Sequence, residues 1–590
     1  MAGAPAGREI QMKQLRGIMP LMILAFLGVM ALAPYAGGQD SGEQDPETGI
    51  LRLHLMWTND VHGHIAPEGA KFMNPNFPPP LGGGASAANY IKEVRAKAAA
   101  AGEEVLLVDV GDMFQGTPIG NKTQGEAVIM YFNATSYDFA VPGNHDFDKG
   151  RENTKRLALM SNFPWICANL IETETDDHVE WVRPTLMLEY QGIKIGVVGI
   201  ITPATASMSF PDNIAGLEFR EMPGTIAKFR DQLLDEGADI IFLAIHEGLP
   251  YDSKEGWKKI AGSTETETDQ EQQGTYGSAH SYGGMNLMEL VNKVPGIDFA
   301  VGGHTHRGYN EPWIDPMNHT MCFESYGNGS SLGHAILLID RKTRALIGYE
   351  GSHDRGTLIT LFEDEIWPDA EIAEVIRPYH DLAEAEIGKV IGSSAISMVR
   401  GGPTNLIGVM VTDAMVEYFD ADFSFQNLGG IRANITAGDL TTRDIFSVLP
   451  FGNELVEVQM DGRLVRRVIE RKLAGSSRGI CLSDVVMEFD TARPDYDRVV
   501  TLEIAGEPWD PDRIYRVIMT NFLMEGKSGL EFLTSIPPGK VTPTQITTAE
   551  AVEHYIVQHS PIRPQFGRRW VEKPGQPQAD YLKKSYMPES

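Results

Sequence analysis

The sequence is poor in cysteine, in positive charge and in long apolar runs, and each shortage excludes something. Cysteine occurs three times in 590 residues, at Cys167, Cys322 and Cys481. An odd number allows at most one intramolecular bridge, and no CxxC or Cys/His spacing of a zinc module exists. Cys167, in the apolar run "PWICANL", reads as a small buried hydrophobe. Lys and Arg total 50 against 80 Asp and Glu, a formal charge of -30. That balance excludes a nucleic-acid polymer held on a broad basic face. It leaves room for a small phosphorylated ligand, because a bound divalent metal reverses the potential locally. Only one long apolar run exists, Ile18 to Ala33. It is shorter than the roughly 20 residues a membrane span prefers.

That run follows Arg8, Lys13 and Arg16 and precedes the small residues Ala36-Gly-Gly. Basic, apolar, then small is the layout of a secretory signal peptide. Residues 1–38 are therefore expected to be cleaved, with Gln39 as the first mature residue and no stable membrane span left. The expected location is periplasmic or extracellular. Sequons at Asn121, Asn133, Asn318, Asn328 and Asn434 matter only in a host that glycosylates.

Hydrophobic residues make up 42% and charged residues 22%, the balance of a folded protein, and the length calls for at least two domains. From Ile50 onward, short apolar runs such as "VLLVDV", "IKIGVVGI" and "DIIFLAI" alternate with amphipathic stretches. This pattern reads as an α/β domain over 50–348. Residues 349–385 read as a connector carrying an Ala-rich, helix-compatible segment. A second mixed α/β domain is expected over 386–572, and a loose polar tail over 573–590. The Gly/Ser/Thr-rich stretch 261–284 leaves the chain shortly after His246 and reads as a surface loop or a lid.

The polar residues of the first domain recur in one kind of place, the C-terminal end of an apolar strand. "HLMWTNDVHGH" supplies Asp60 and His62, and "VLLVDVGD" supplies Asp112. "DFAVPGNHD" supplies Asn144 and His145, "IIFLAIHEG" supplies His246, and "IDFAVGGHTH" supplies His304 and His306. Ligands of α/β folds collect beyond those strand ends. Each residue alone suits a cap or a turn; five strand ends offering Asp, Asn and His together point to a metal site. Imidazole and oxygen donors without thiolate suit zinc, manganese or iron. Seven donors exceed the need of one tetrahedral ion and suit two divalent ions sharing a carboxylate, the clamp used for hydrolysis at phosphorus.

In order, "TNDVHGH", "GDMFQGTP", "GNHDFD", "HEG" and "GGHTH" resemble the calcineurin-like metallophosphoesterase signature. "RGGPTNLIG", "QNLGGIRANITAGDLTTRDIFSVLPFGN" and "YRVIMTNFL" are similar to the C-terminal domain of secreted 5′-nucleotidases. The resemblance implies an N-terminal α/β/β/α sandwich and a second α/β domain joined by a helical linker. It implies that Asp60, His62 and His306 hold one metal, that Asn144, His246 and His304 hold the other, and that Asp112 bridges them. It further implies a catalytic His145 oriented by Asp148, and a substrate held by Arg400, Asn427, Arg432 and Phe451. The activity implied is hydrolysis of nucleoside 5′-monophosphates or related nucleotides. The alternatives are 2′,3′-cyclic nucleotides, UDP-sugars or thiosulfate-type substrates on the same metals, and a non-catalytic binding protein on the same scaffold. One departure stands out. The family's second base-stacking aromatic falls at Leu530, with Phe532 two residues on.

Overall fold

The computed structural model describes residues 49–575, apart from 71–72, 75–76, 251, 263–284, 355, 401–404, 475–479, 484 and 567–568. The signal segment, most of the 261–284 stretch and the tail beyond 575 lie outside the described residues.

Residues 50–360 build two large sheets packed face to face, with two small ones beside them. The first runs, in spatial order, Ala345–Gly351, Ser331–Asp340, Ile50–Thr58, Glu104–Asp109 and Phe139–Ala140. The second runs Trp313–Ile314, Met321–Phe323, Phe299–Val301, Ile240–His246, Ile193–Ile201 and Thr185–Tyr190. The site-bearing strands within each sheet are parallel. The apolar runs are nearly continuous because these strands are buried on both faces. Leu53, Leu55 and Trp57 of the first sheet meet Val197, Phe242 and Phe299 of the second in the central core. The opposite faces are covered by helices. Gly83–Ala101 and Glu126–Thr135 pack on one side, Met222–Asp235 and Leu287–Lys293 on the other. The result is an α/β/β/α sandwich.

The first sheet continues past residue 348, since Ala345–Gly351 ends in it and Leu358–Thr360 pairs with Ser331–Gly333. The helix Ala370–Ile387 then follows, capped by Asp369, whose carboxylate accepts from the backbone N–H groups of Glu371 and Ile372. Its residues Ile372, Ile376 and Ala383 bury into the helical layer of the first half. The largest sheet of the remainder has five strands, in the order Ile480–Leu482, Phe423–Asn427, Ile514–Thr520, Glu454–Asp461 and Val541–Thr547, and a four-stranded sheet of Glu507–Pro508, Val499–Ile504, Val485–Phe489 and Trp570–Glu572 accompanies it. The helix Gly462–Leu473 covers one face of the five-stranded sheet; Leu406–Phe419 and Thr548–His559 cover the other. All three cysteines are buried and free. Cys322 lies in the second sheet of the sandwich, whereas Cys481 accepts a hydrogen bond from Asn405 in the second half, so they do not pair.

A polar chain crosses the outer part of the first sheet. Tyr90 Oη lies 2.8 Å from His334 Nδ1, His334 Nε2 lies 2.9 Å from His54 Nδ1, and His54 Nε2 lies 2.7 Å from Glu103. The carboxylate can only accept, so His54 donates from Nε2, and the remaining directions follow if both rings are neutral. Burial, and then the charges of His54 and His353, push the pKa of His334 down to about 3. The unfolded chain takes up this proton near pH 6.5. Between those values the unfolded state binds more protons, so stability falls as pH drops, by roughly 1.4 kcal/mol per unit. Denaturation midpoints measured from pH 6.5 to 5 should therefore fall more steeply for the parent than for His334→Gln. Equal slopes would remove His334 from the account.

Candidate dimetal site

Five of the residues expected at the site hold a left-handed backbone. The φ angles are 52° at Asp60, 50° at His62, 57° at Asp112, 71° at His304 and 56° at His306. Non-glycine residues adopt this region rarely, at about 1–3 kcal/mol each, and such strain collects at functional sites. Hydrogen bonds between the loops hold it. The N–H groups of Asp60, His62 and Gly63 donate to the carbonyls of Gly111, Asp112 and Met113 at 2.8–2.9 Å. The buried Asn59 carboxamide donates to Asp60 and to the Ser325 carbonyl, and accepts from Ser325.

The donor atoms gather in two groups. One atom each from Asp60, His62, Asp112 and His306 lie within 4.8 Å of one another. So do atoms from Asp112, His246 and His304, which makes Asp112 common to both groups. Asn144 Oδ1 sits 3.2 Å from His246 Nε2 and extends the second group. The tautomers suit ligation. His62 Nδ1 lies 2.5 Å from the Gln115 carbonyl, and His246 Nδ1 lies 2.7 Å from that of Val110. A carbonyl accepts only, so each ring commits its Nδ1–H there and turns Nε2 toward the carboxylates. Hard oxygen and imidazole donors, oriented this way and without thiolate, fit divalent metal ions.

Burial dominates the electrostatics. It pushes His304 down to about 3, with His246 adding to it, and holds His62 and His306 well below the usual imidazole range. Those rings are neutral and keep lone pairs for a cation. Burial, and then the charge of Asp112, raise Asp60 to about 6, although His246 pulls the other way. Burial opposes charge at Asp112 too, but His246 and His145 overcome it and keep the carboxyl well below its ordinary value. The carboxylate of Asp112 in turn raises His246 against its burial.

The 3₁₀ turn Asn144–Phe147 carries several roles at once. Asn144 faces His246. The His145 backbone N–H donates to Asp112 Oδ1 at 2.7 Å, and its ring Nδ1 lies 2.8 Å from Asp148 Oδ2. Burial lowers the His145 pKa, but the charges of Asp148 and Asp112 outweigh it and the net shift is upward. Gly143 is extended, with φ -99°, so it is not there for a left-handed bend. It is there for space: a Cβ would stand 2.3 Å from Asp112 Oδ1.

The supports of these ligands lie outside the residues that the motifs single out. Asp146, visible inside "GNHD", is fully buried and pins the turn, accepting from the N–H groups of Gly143, Asp112 and Met113. Burial, and then Asp112, raise its pKa to about 7. Glu324 ties the His304–His306 loop to the strand-end loop after His246, accepting from Leu249 N–H, Thr305 Oγ1 and Arg307 N–H. Asn213 donates to the Asp148 carbonyl at 3.0 Å. No motif marks Glu324 or Asn213; only the fold brings them in.

The second half reaches this site with two of the four expected substrate residues. The Phe451 ring lies 5.4 Å from that of His145, centroid to centroid, and the Arg432 guanidinium carbon lies 5.6 Å from the Phe451 centroid. The charge of Arg432 bears on His62, His145, His304 and His306. Asn427 is buried at a strand end, its carboxamide oxygen 3.0 Å from Gln426 Nε2. Arg400 is exposed; its backbone N–H donates to Asn434, and no described contact joins its side chain to the metal donors. Leu530 is fully buried in the second-half core. The Phe532 ring packs 4.3 Å beneath the Arg467 guanidinium.

Two donor groups sharing a carboxylate, at the strand ends of an α/β/β/α sandwich, suit a pair of divalent ions and hydrolysis at phosphorus. Comparison with known proteins agrees. Residues 53–308 match the model of the calcineurin-like phosphoesterases, and residues 386–556 match that of the 5′-nucleotidase C-terminal domain. The chain is 27% identical over 575 residues to Protein UshA of Yersinia enterocolitica, spanning 90% of this chain and 95% of that protein. It is 26% identical over 585 residues to a 5′-nucleotidase of Vibrio parahaemolyticus, spanning 92% and 96%. The crystal structure of a 5′-nucleotidase precursor from Thermus thermophilus shares the fold, with a TM-score of 0.73 at 23% identity over 89% of this chain and all of that one. Over most of its length the chain is similar to 5′-nucleotidases, and its two matched regions are those of a calcineurin-like phosphoesterase domain and a 5′-nucleotidase C-terminal domain.

Proposed function

We propose that the protein hydrolyses nucleoside 5′-monophosphates or related nucleotides to nucleoside and phosphate, with water as the nucleophile. The observation that carries this reading is the meeting of the Asp112-centred donor groups with Phe451 of the second half across the His145 ring. Asp60, His62 and His306 would hold one divalent ion, Asn144, His246 and His304 the other, and Asp112 both. Such ions, when bound, hold a phosphoryl oxygen and lower the pKa of a water. His145 sits beside them with its pKa raised and its ring fixed by Asp148, suited to protonate the leaving oxygen or to meet charge on the phosphate. Arg432 adds positive charge over the same space. Phe451 offers a ring face, and a base stacked on it gains about 1–3 kcal/mol whatever its identity. Asn427 would meet the edge of that base.

Export rests on the residue 1–39 layout, and no helix among the described residues is long and apolar enough to cross a membrane. Leu530 is buried where the family's second aromatic would stand, so breadth of substrate is part of the test. Phosphate release should be measured after chelation and re-addition of Mn²⁺ or Zn²⁺, on AMP, UMP, UDP-glucose, 2′,3′-cyclic AMP and bis-p-nitrophenyl phosphate. Metal-dependent release from AMP or UMP supports the reading. Release from the diester alone would keep the metals and overturn the nucleotide. Metal binding without any release would favour the binding-protein alternative.

A further inference from the structure

The carbonyl of Pro450 receives two side-chain amides from the other half of the molecule. Asn121 Nδ2 donates to it at 2.8 Å and Gln115 Nε2 at 3.3 Å. Pro450 immediately precedes Phe451, so these bonds fix the peptide that aims the Phe451 ring at His145. Both amides come from the stretch 115–121, which also serves the metal donors: the Gln115 backbone carbonyl takes the Nδ1–H of His62.

A second contact repeats the arrangement. The strands Glu454–Asp461 and Ile514–Thr520 are antiparallel, with Leu455 opposite Thr520. The loop 449–453 and the segment 521–527, which opens with the short helix Asn521–Met524, therefore leave the sheet at the same end. The first lands on Gln115 and Asn121. The second places Phe522 edge-on to Phe210, centroids 6.0 Å apart. Phe210 leads directly into the short turn Pro211–Ile214, whose Asn213 holds the Asp148 carbonyl. Each strand-end loop of the second half thus docks on a first-half segment that orients part of the catalytic machinery.

We propose that Asn121, with Gln115, is a positioning residue: it seats Phe451 on His145 and thereby sets the affinity for the base. This rests on the reading that Phe451 carries the base. Asn121→Asp is the informative variant. Its remaining oxygen still accepts from Gly116 N–H, 3.3 Å away in the parent, while the donor to Pro450 is lost and an acceptor faces an acceptor.

The expected result is a KM for AMP about tenfold higher with kcat within twofold, the size of one lost hydrogen bond. In a Phe451→Ala background the same change should add nothing, because the residue acts through that ring. Equal KM effects in both backgrounds would overturn the proposal. A readout independent of turnover uses spin labels at Lys122→Cys and Glu454→Cys, both exposed, the native cysteines being buried. The parent should populate the short distance of the docked halves, and Asn121→Asp should populate it less, in favour of longer distances. Identical distributions would also overturn it. A parent that does not hydrolyse AMP would count against the proposed function and leave the label measurement to decide this inference.

Discussion

Asp112→Asn is expected to abolish activity, by about 10³-fold or more, and to lower the metal content of the purified protein. Asp112 is the one residue common to both donor groups. Its Oδ2 lies 3.3 Å from His246 Nε2 and 3.7 Å from His62 Nε2, and its Oδ1 accepts from the His145 backbone. The amide has nearly the same shape and lacks the charge. It is a far weaker bridge between two cations, and a metal pair stabilises the transition state by several kcal/mol, each 1.36 kcal/mol being tenfold in rate. Two readouts check this. Elemental analysis should show fewer bound ions per chain than in the parent, and phosphate release should stay near background as metal is added. Full metal content with near-parental turnover would show that Asp112 is not the bridge.

The second large effect is expected at His145. His145→Gln should lower kcat on AMP by about 10²–10⁴-fold, the usual contribution of a positioned proton donor, with metal content unchanged. The geometry predicts which substrates suffer. The ring is fixed by Asp148 and lies against the donor groups without belonging to either. A nucleoside leaving as an alkoxide needs a proton; p-nitrophenolate leaves as a stable anion. The loss should therefore be much smaller on p-nitrophenyl esters than on AMP. Equal losses on both would assign His145 to holding the phosphate rather than to protonation. Asp148→Asn should follow the same pattern at smaller size, since it acts through the ring it holds. Its neighbour in the turn, Asp146, should behave differently. It pins the turn through three backbone N–H groups, so its loss should lower stability along with activity.

Where the sequence reading and the structure differ, the cause is distance along the chain. "GNHDFD" announces a turn carrying a donor, an imidazole and carboxylates, because those residues are neighbours. The resemblance gives Asp148 to the ring and gives Asp146 no role. Asp148 pairs with the ring within the turn, whereas Asp146 reaches back to Asp112 and Met113. Gly143 is extended, and its lack of a side chain makes room for a carboxylate from another strand end. Leu530 reads as half of a missing clamp and proves to be a core residue. Arg400 and Arg432 look equivalent as motif arginines, and only Arg432 is brought to the donor groups.

The sequence by itself determined the chemistry: which donors are available, that thiolates are absent, and that the donors fall in order behind apolar strands. Periodicity and residue type are local, and a strand end carrying Asp or His is legible wherever it occurs. Tertiary structure decided the partnerships. Whether His62 presents Nε2 depends on a carbonyl at Gln115, and whether Asp60 is held in place depends on Ser325 through Asn59. Whether His145 meets an aromatic ring depends on Phe451, from the other half of the chain. Those contacts are set when the loops of two sheets and a second domain converge, and hydrogen bonds between distant segments have no signature in the order of residues.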